Sequence, residues 1–187
     1  PLFDRPTSLP VTMFSNSAVA YNLRRHPILI RLKRFLRNLS GNPVSANIYA
    51  GSYLPDWRPG TDFRESYSAR RSEGGGVLRD LSHELDYVLW LFGPWRRLTS
   101  IGGHLSDLEI DSDDVYSLLM ETEYCPSVAI HLNYLDRNPR RNIIVNAGNH
   151  TFSADLIGNV LEVDGVQEVF SVGRNDTYLE QHLAMLE

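Results

Sequence analysis

Leu161-Glu162-Val163-Asp164-Gly165-Val166-Gln167-Glu168-Val169 is the stretch that decides the fold class. Asp-Gly between two runs of alternating apolar and polar residues is a strong signal for a two-residue hairpin turn. So short a link permits only antiparallel pairing of the strands it joins. The same period of two runs upstream, predicting strands near 95–106, 113–123, 127–136, 140–147, 150–156, 159–163 and 167–171. Between them stand turn signals such as Glu123-Tyr124-Cys125-Pro126, Asp136-Arg137-Asn138-Pro139, Gly148-Asn149 and Gly158-Asn159. The second half therefore reads as an antiparallel meander.

The first half supplies helices. Ile28, Leu29, Leu32, Phe35, Leu36 and Leu39 form an apolar stripe that starts at Pro27 and stops at Ser40-Gly41-Asn42-Pro43. Its other side carries Arg31, Lys33, Arg34 and Arg37, a face that is ordinarily solvated. Val44 to Tyr53 alternates as a strand, Ser17–Leu23 reads as a short strand, and Asp62 to Arg71 as a short polar helix. The sum is an α+β fold: an open, mainly antiparallel sheet with helices on one face, in a single domain over 1–187. Residues 1–17, with Pro1, Pro6 and Pro10, read as an extended lead-in, and 176–187 as a C-terminal amphipathic helix that is cut short.

Glu73-Gly74-Gly75-Gly76-Val77-Leu78-Arg79-Asp80-Leu81-Ser82-His83-Glu84-Leu85-Asp86-Tyr87 carries the chemistry. Three glycines allow positive φ and close approach to a ligand or another segment. The apolar series from Val77 to Phe92 then has helical spacing and ends at Gly93-Pro94. Asp80, His83 and Glu84, at i, i+3 and i+4, would share one side of that helix. An acid and an imidazole beside a glycine turn can move a proton. No zinc-protease pair is formed, because Tyr87 stands four residues after His83.

Composition excludes several classes. A net charge of −5 gives no nucleic-acid footprint. No apolar run approaches the ~20 residues of a membrane span. The single cysteine, Cys125, forms no internal disulfide and suits a cytoplasmic protein. The acidic residues Asp107, Glu109, Asp111, Asp113 and Asp114 lack the glycine and glutamate spacing of a calcium loop and read as solvated, so no metal is expected. His104, His131 and His150 fall on predicted strands without partners at ligand spacing.

With these segments in order, the chain resembles the C-terminal domain of the glucose–fructose oxidoreductase, inositol dehydrogenase and rhizopine catabolism family. The glycine stretch resembles its second-domain motif. Ala20-Tyr21-Asn22-Leu23-Arg24-Arg25-His26-Pro27 resembles the strand that opens that domain, and Pro1-Leu2-Phe3 the tail of a Glu-Lys-Pro motif. The Tyr53–Arg58 loop resembles members from sialic-acid-like and surface-polysaccharide sugar pathways. The resemblance implies a two-domain oxidoreductase using NAD or NADP, acting on a sugar or nucleotide-sugar hydroxyl or ketone. The Rossmann domain would lie outside this chain, which has no Gly-x-Gly-x-x-Gly and so no cofactor-binding residues of its own.

The resemblance also implies roles for residues. His83 would act with an upstream lysine around the reacting hydroxyl, with Asp80 as the orienting carboxylate, although many members space this acid and histidine by four residues rather than three. Asn22, Arg24, Tyr53, Trp57 and Arg58 are the candidates for the substrate wall. The free face of the sheet would make a homo-oligomer contact, giving a dimer or tetramer. Two other readings remain open on the residues alone. One is a non-catalytic scaffold or sugar-binding module that associates through its sheet. The other is a cofactor-independent isomerase or lyase using Asp80 and His83.

Overall fold

The computed structural model describes residues 19–186. Eight strands form one sheet: β1 (Pro43–Gly51), β2 (Trp95–Gly103), β3 (Val115–Thr122), β4 (Ser127–Asn133), β5 (Arg140–Ala147), β6 (His150–Asp155), β7 (Val160–Val163) and β8 (Val166–Val169). Their spatial order is β2-β3-β4-β1-β5-β6-β7-β8. Every neighbouring pair is antiparallel except β1 and β4, which run parallel from Ser45↔Ser127 to Gly51↔Asn133.

The predicted meander is thus corrected at its centre. Strands β4 and β5 are consecutive in the chain, yet β1 sits between them. The six residues from Tyr134 to Pro139 step over β1, a span of two strand spacings, roughly 10 Å. The Asp164-Gly165 turn is as expected, with φ of 51° and 86° at the two positions.

Alternation divides the sheet into two faces. Ala46, Ile48, Ala50, Leu118, Val128, Ile130, Leu132, Ile143, Val145, Phe152 and Leu161 point inward and are buried. Against them pack α1 (Pro27–Asn38), the short α2 (Val77–Asp80) and α3 (Ser82–Phe92) through Ile28, Leu29, Leu32, Val77, Tyr87, Val88 and Phe92. A fourth helix, α4 (Asp176–Leu186), packs beside residues 22–25. Helix α1 opens as its sequence suggests, with Pro27 in its first turn. His26 Nδ1 accepts the Ile28 N–H at 3.3 Å and so satisfies an otherwise orphaned donor. Gly93, at φ 81°, closes α3.

Three local readings change. Asn22–Arg25 is a 3₁₀ turn, and residues 19–23 form no strand; residues 17 and 18 and the lead-in 1–17 lie outside the described residues. Asp62–Arg71 is a series of single 3₁₀ turns rather than one helix. The helix after the glycines is broken at Leu81, whose φ and ψ of −99° and 28° separate α2 from α3. Asp80 therefore ends one helix while His83 lies in the first turn of the next.

Candidate active site

Because β1 and β4 run in the same direction, the segments leaving them emerge side by side. They stay paired beyond the sheet: Ser52 N–H donates to the Asn133 carbonyl at 3.2 Å, and Leu54 N–H to that of Tyr134 at 3.0 Å. Strand β5 starts at the same end, since Arg140 is opposite Gly51. The loop 52–76, the turn 134–139 and the starts of α2 and α3 meet here.

Two of the three glycines, Gly75 and Gly76, fit this corner to the chain itself. A Cβ on Gly75 would overlap the backbone carbonyls of Tyr67 and Ser68, and one on Gly76 the carboxylate of Asp113. Asp113 in turn accepts the Leu78 N–H at 3.1 Å and its carbonyl accepts that of Val77 at 2.8 Å. The glycines thus face carbonyl and carboxylate oxygens, which repel an anion. They do not form a cradle for the pyrophosphate of a dinucleotide.

The acidic cluster is divided: Asp107, Glu109 and Asp111 are exposed as expected, whereas Asp113 and Asp114 are built into the structure. Asp114 is fully buried and accepts from the N–H groups of Leu105 and Ser106 at 2.8 and 3.1 Å. Asp111 accepts the Arg71 N–H at 2.6 Å, and Glu109 pairs with Arg64. Among the described residues, no three His, Cys, Asp or Glu side chains gather to hold a metal. His131 takes a bond with Ser117 at 2.8 Å and stacks on Tyr49, His150 pairs with Asp164, and His104 bonds the Leu108 carbonyl.

Asp80 and His83 are neighbours without bonding to each other. Asp80 Oδ2 accepts the hydroxyl of buried Tyr134 at 2.6 Å. His83 is half-buried, with the ring of Tyr21 edge-on at 5.5 Å and with Nδ1 sealed from solvent and unpartnered among the described residues. That leaves Nε2 as the nitrogen for an outside group. Burial first, then the nearby Arg141 cation, lowers the proton affinity of His83, while Asp86 opposes them.

Beneath His83 lies a second, unexpected pair. Glu84 is wholly buried, and Arg141 Nε comes within 2.8 Å of its Oε1. Burial pushes the Glu84 carboxyl above its usual range, with Arg141 pulling the other way. The Tyr87 hydroxyl is buried nearby without a partner among the described residues. Sequence spacing carried a cue to this: Glu84 falls between Leu81 and Val88 on the apolar stripe, where a charge must be buried.

The five wall candidates separate into two groups. Asn22 is buried and its amide donates to Thr177 Oγ1 at 2.8 Å; Arg24 grips Asp86 through two bonds of 2.7 and 2.6 Å. Both side chains are committed to holding the 19–26 segment, and Tyr21 with it, against α3 and α4. Tyr53, Trp57 and Arg58 do come together, lining one pocket with Asp56 and Arg137. Trp57 donates to Ser52 Oγ at 2.8 Å and sets its ring edge-on to Tyr134 at 5.2 Å, so the pocket connects to Asp80 through one residue. Glu84 was grouped with Asp80 and His83 by its spacing but without its partner, and Tyr134, Asp86, Arg137 and Arg141 were not singled out by the sequence.

An open α+β domain with an acid–imidazole corner at one sheet end is the class defined so far. Residues 35–153, more than half of the chain, match the family model described as GFO/IDH/MocA C-terminal domain, and the chain belongs to that family. The structure is similar to an oxidoreductase from Thermotoga maritima, with a TM-score of 0.70 and 16% identity over 89% of this chain and 49% of that one. It is similar to UDP-N-acetylglucosamine 3-dehydrogenase from Acidithiobacillus ferrooxidans, with a TM-score of 0.68 and 19% identity over 90% and 51%. A levoglucosan dehydrogenase solved with NADH and levoglucosan gives a TM-score of 0.75 at 15% identity over 89% and 55%. The chain spans about half the length of these structures. Comparison with curated protein sequences finds no match.

Proposed function

We propose that this chain is the substrate-binding domain of a nicotinamide-dependent oxidoreductase acting on a hydroxyl or ketone of a sugar or nucleotide sugar. The observation that carries this reading is His83, half-buried beside the glycine corner with only Nε2 left for an outside group. Oxidising an alcohol needs a group to take the hydroxyl proton. A bound nicotinamide supplies the hydride acceptor. The glycine corner does not fit the dinucleotide phosphates, so the cofactor would be held elsewhere in the whole protein.

Within the chain, His83 takes the proton of the substrate hydroxyl on Nε2. Its lowered proton affinity keeps the ring neutral near pH 7, the form that can accept. Tyr21 and the Arg24–Asp86 clamp hold the ring in place, and Asp80, oriented by Tyr134, is the second polar group of the corner. Tyr53, Trp57 and Arg58 form the wall. The outward sheet face, with Ile101, Leu119 and Ile144 exposed among small and polar residues, meets a second copy of the protein. Buried Cys125 accords with a cytoplasmic setting.

The test is made on the full-length protein. NADH binding is followed by nicotinamide fluorescence, and turnover is screened with neutral sugars and nucleotide sugars. His83→Ala is expected to lower turnover by ~10²-fold or more while leaving NADH binding intact. Unchanged turnover removes His83 from the chemistry, and absence of NADH binding overturns the reading.

A further inference from the structure

The pocket of Tyr53, Asp56, Trp57, Arg58 and Arg137 has a charge arrangement that its role as a wall does not require. The Arg137 guanidinium lies 3.4 Å from the centroid of the Tyr53 ring, and that of Arg58 lies 5.4 Å from that of Tyr67. Stacking fixes the plane of a guanidinium and leaves its N–H donors free at the edge. Neither arginine has a carboxylate partner among the described residues, whereas Arg64 and Arg70 of the same loop are paired with Asp62, Glu109 and Glu73. Asp56 is the one acid lining the pocket, so two cations against one anion leave a local charge of +1. The pocket holds about 460 Å³, within the size range of small-molecule sites.

We propose that Arg58 and Arg137 bind an anionic group of the substrate, so that the substrate class is a sugar bearing a phosphate or a carboxylate. This rests on the dehydrogenase reading above and narrows it. The Trp57 ring offers apolar surface to a sugar or base, while the two guanidinium edges supply forked donors that match phosphate or carboxylate oxygens. Trp57 against Tyr134, and Tyr134 on Asp80, place this anion subsite one residue away from the acid–imidazole corner. The anion would anchor the substrate at the pocket while its hydroxyl reaches His83.

Calorimetric titration of the full-length protein tests this with three probes: inorganic pyrophosphate, glucuronate and N-acetylglucosamine. Pyrophosphate or glucuronate is expected to bind, more weakly as salt rises, and the stronger of the two identifies phosphate or carboxylate as the group. Arg137→Gln and Arg58→Gln each lower that affinity by about 10-fold or more, the scale of one charge-assisted contact, without changing the response to N-acetylglucosamine. Both side chains are exposed, and an unchanged melting temperature verifies folding. No binding of either anion, or binding that both substitutions leave unchanged, overturns the proposal. Anion binding without any dehydrogenase turnover keeps the subsite and sinks the proposed activity; turnover limited to neutral sugars does the reverse.

Discussion

Tyr134, the first residue after β4, donates its hydroxyl proton to Asp80 at the end of α2 across 2.6 Å. The bond ties the exit of a central strand to the break between two helices. Tyr134 is fully buried, and burial together with Asp80 pushes its phenol well above its ordinary range, so it stays a donor at any working pH. Tyr134→Phe keeps the ring against Trp57 and removes only this bond. The expected cost is about 1.5–3 kcal/mol in urea unfolding, the range for a hydrogen bond to a charged group. A smaller turnover loss than in His83→Ala is also expected; equal losses would make Asp80 a direct participant.

Two histidines set an acid limit on stability. Burial is the leading cause that lowers the proton affinity of both His26 and His83 below the ordinary value of 6.5. As pH falls through about 6.5, the unfolded chain takes up protons that the folded chain still refuses. The unfolded state then binds more protons, so stability decreases as pH falls and recovers as it rises. Protonation of His26 also removes the Nδ1 acceptor that caps α1. Urea midpoints between pH 7.5 and 5.5 should fall for the natural protein and fall less for His83→Gln. A flat profile would mean that neither ring resists protonation.

Glu84 and Arg141 make a pair whose halves depend on each other. Removing one partner of a buried pair costs about 3–5 kcal/mol, whereas replacing both by apolar residues is often neutral. Arg141 is 26% exposed, which places Arg141→Met near the lower end of that range. Glu84→Leu combined with Arg141→Met should recover most of the loss. A double-mutant cycle by guanidinium unfolding measures the coupling, and additive losses would show the two side chains to be independent.

Neighbouring glycines should respond differently to substitution. At Gly74 the φ of 88° strains a side chain, but a Cβ meets nothing within 4 Å. Gly74→Asn, a residue that tolerates this region, is expected to cost under about 1 kcal/mol. Gly75→Ala drives its methyl into the carbonyls of Tyr67 and Ser68 and should lower the melting temperature by several degrees. If Gly75→Ala melts like the natural protein, the loop 67–75 moves aside more easily than its packing implies.

On the outer sheet face, Leu119 and Ile144 are 61% and 43% exposed. If this face joins two copies, Leu119→Arg with Ile144→Glu should convert the full-length protein to monomer in analytical ultracentrifugation, with its melting profile changed little at low concentration. An assembly that survives both substitutions uses another surface.

Much of the sheet was legible because alternation and turn chemistry are local. The Asp164-Gly165 hairpin and the apolar inner positions of β3 to β7 follow from residues a few places apart. Strand order is not local, and nothing in Asp136-Arg137-Asn138-Pro139 distinguishes a hairpin from a step across β1. The helix break at Leu81 was hidden for a similar reason: Leu81 suits a helix, and its backbone turns so that Asp80 reaches Tyr134, a partner 54 residues away. The sequence indicated the acid and the imidazole, but the partners that position them come from distant strands. Asn22 and Arg24 came from resemblance, and their bonds to Thr177 and Asp86 inside this chain were not legible from it.

The place of β1 has a consequence for the nascent chain. Residues 43–51 leave the ribosome long before either flanking strand, 127–133 or 140–147, has been made. Both hydrogen-bonding edges of β1 remain open until then, in a segment rich in alternating apolar residues. Closing a sheet around contacts of such long sequence separation is slow, and an open edge invites pairing with other chains. Synthesis halted before about residue 147 would release a chain unable to complete its centre, prone to aggregate and quickly degraded, so the domain is acquired whole or not at all.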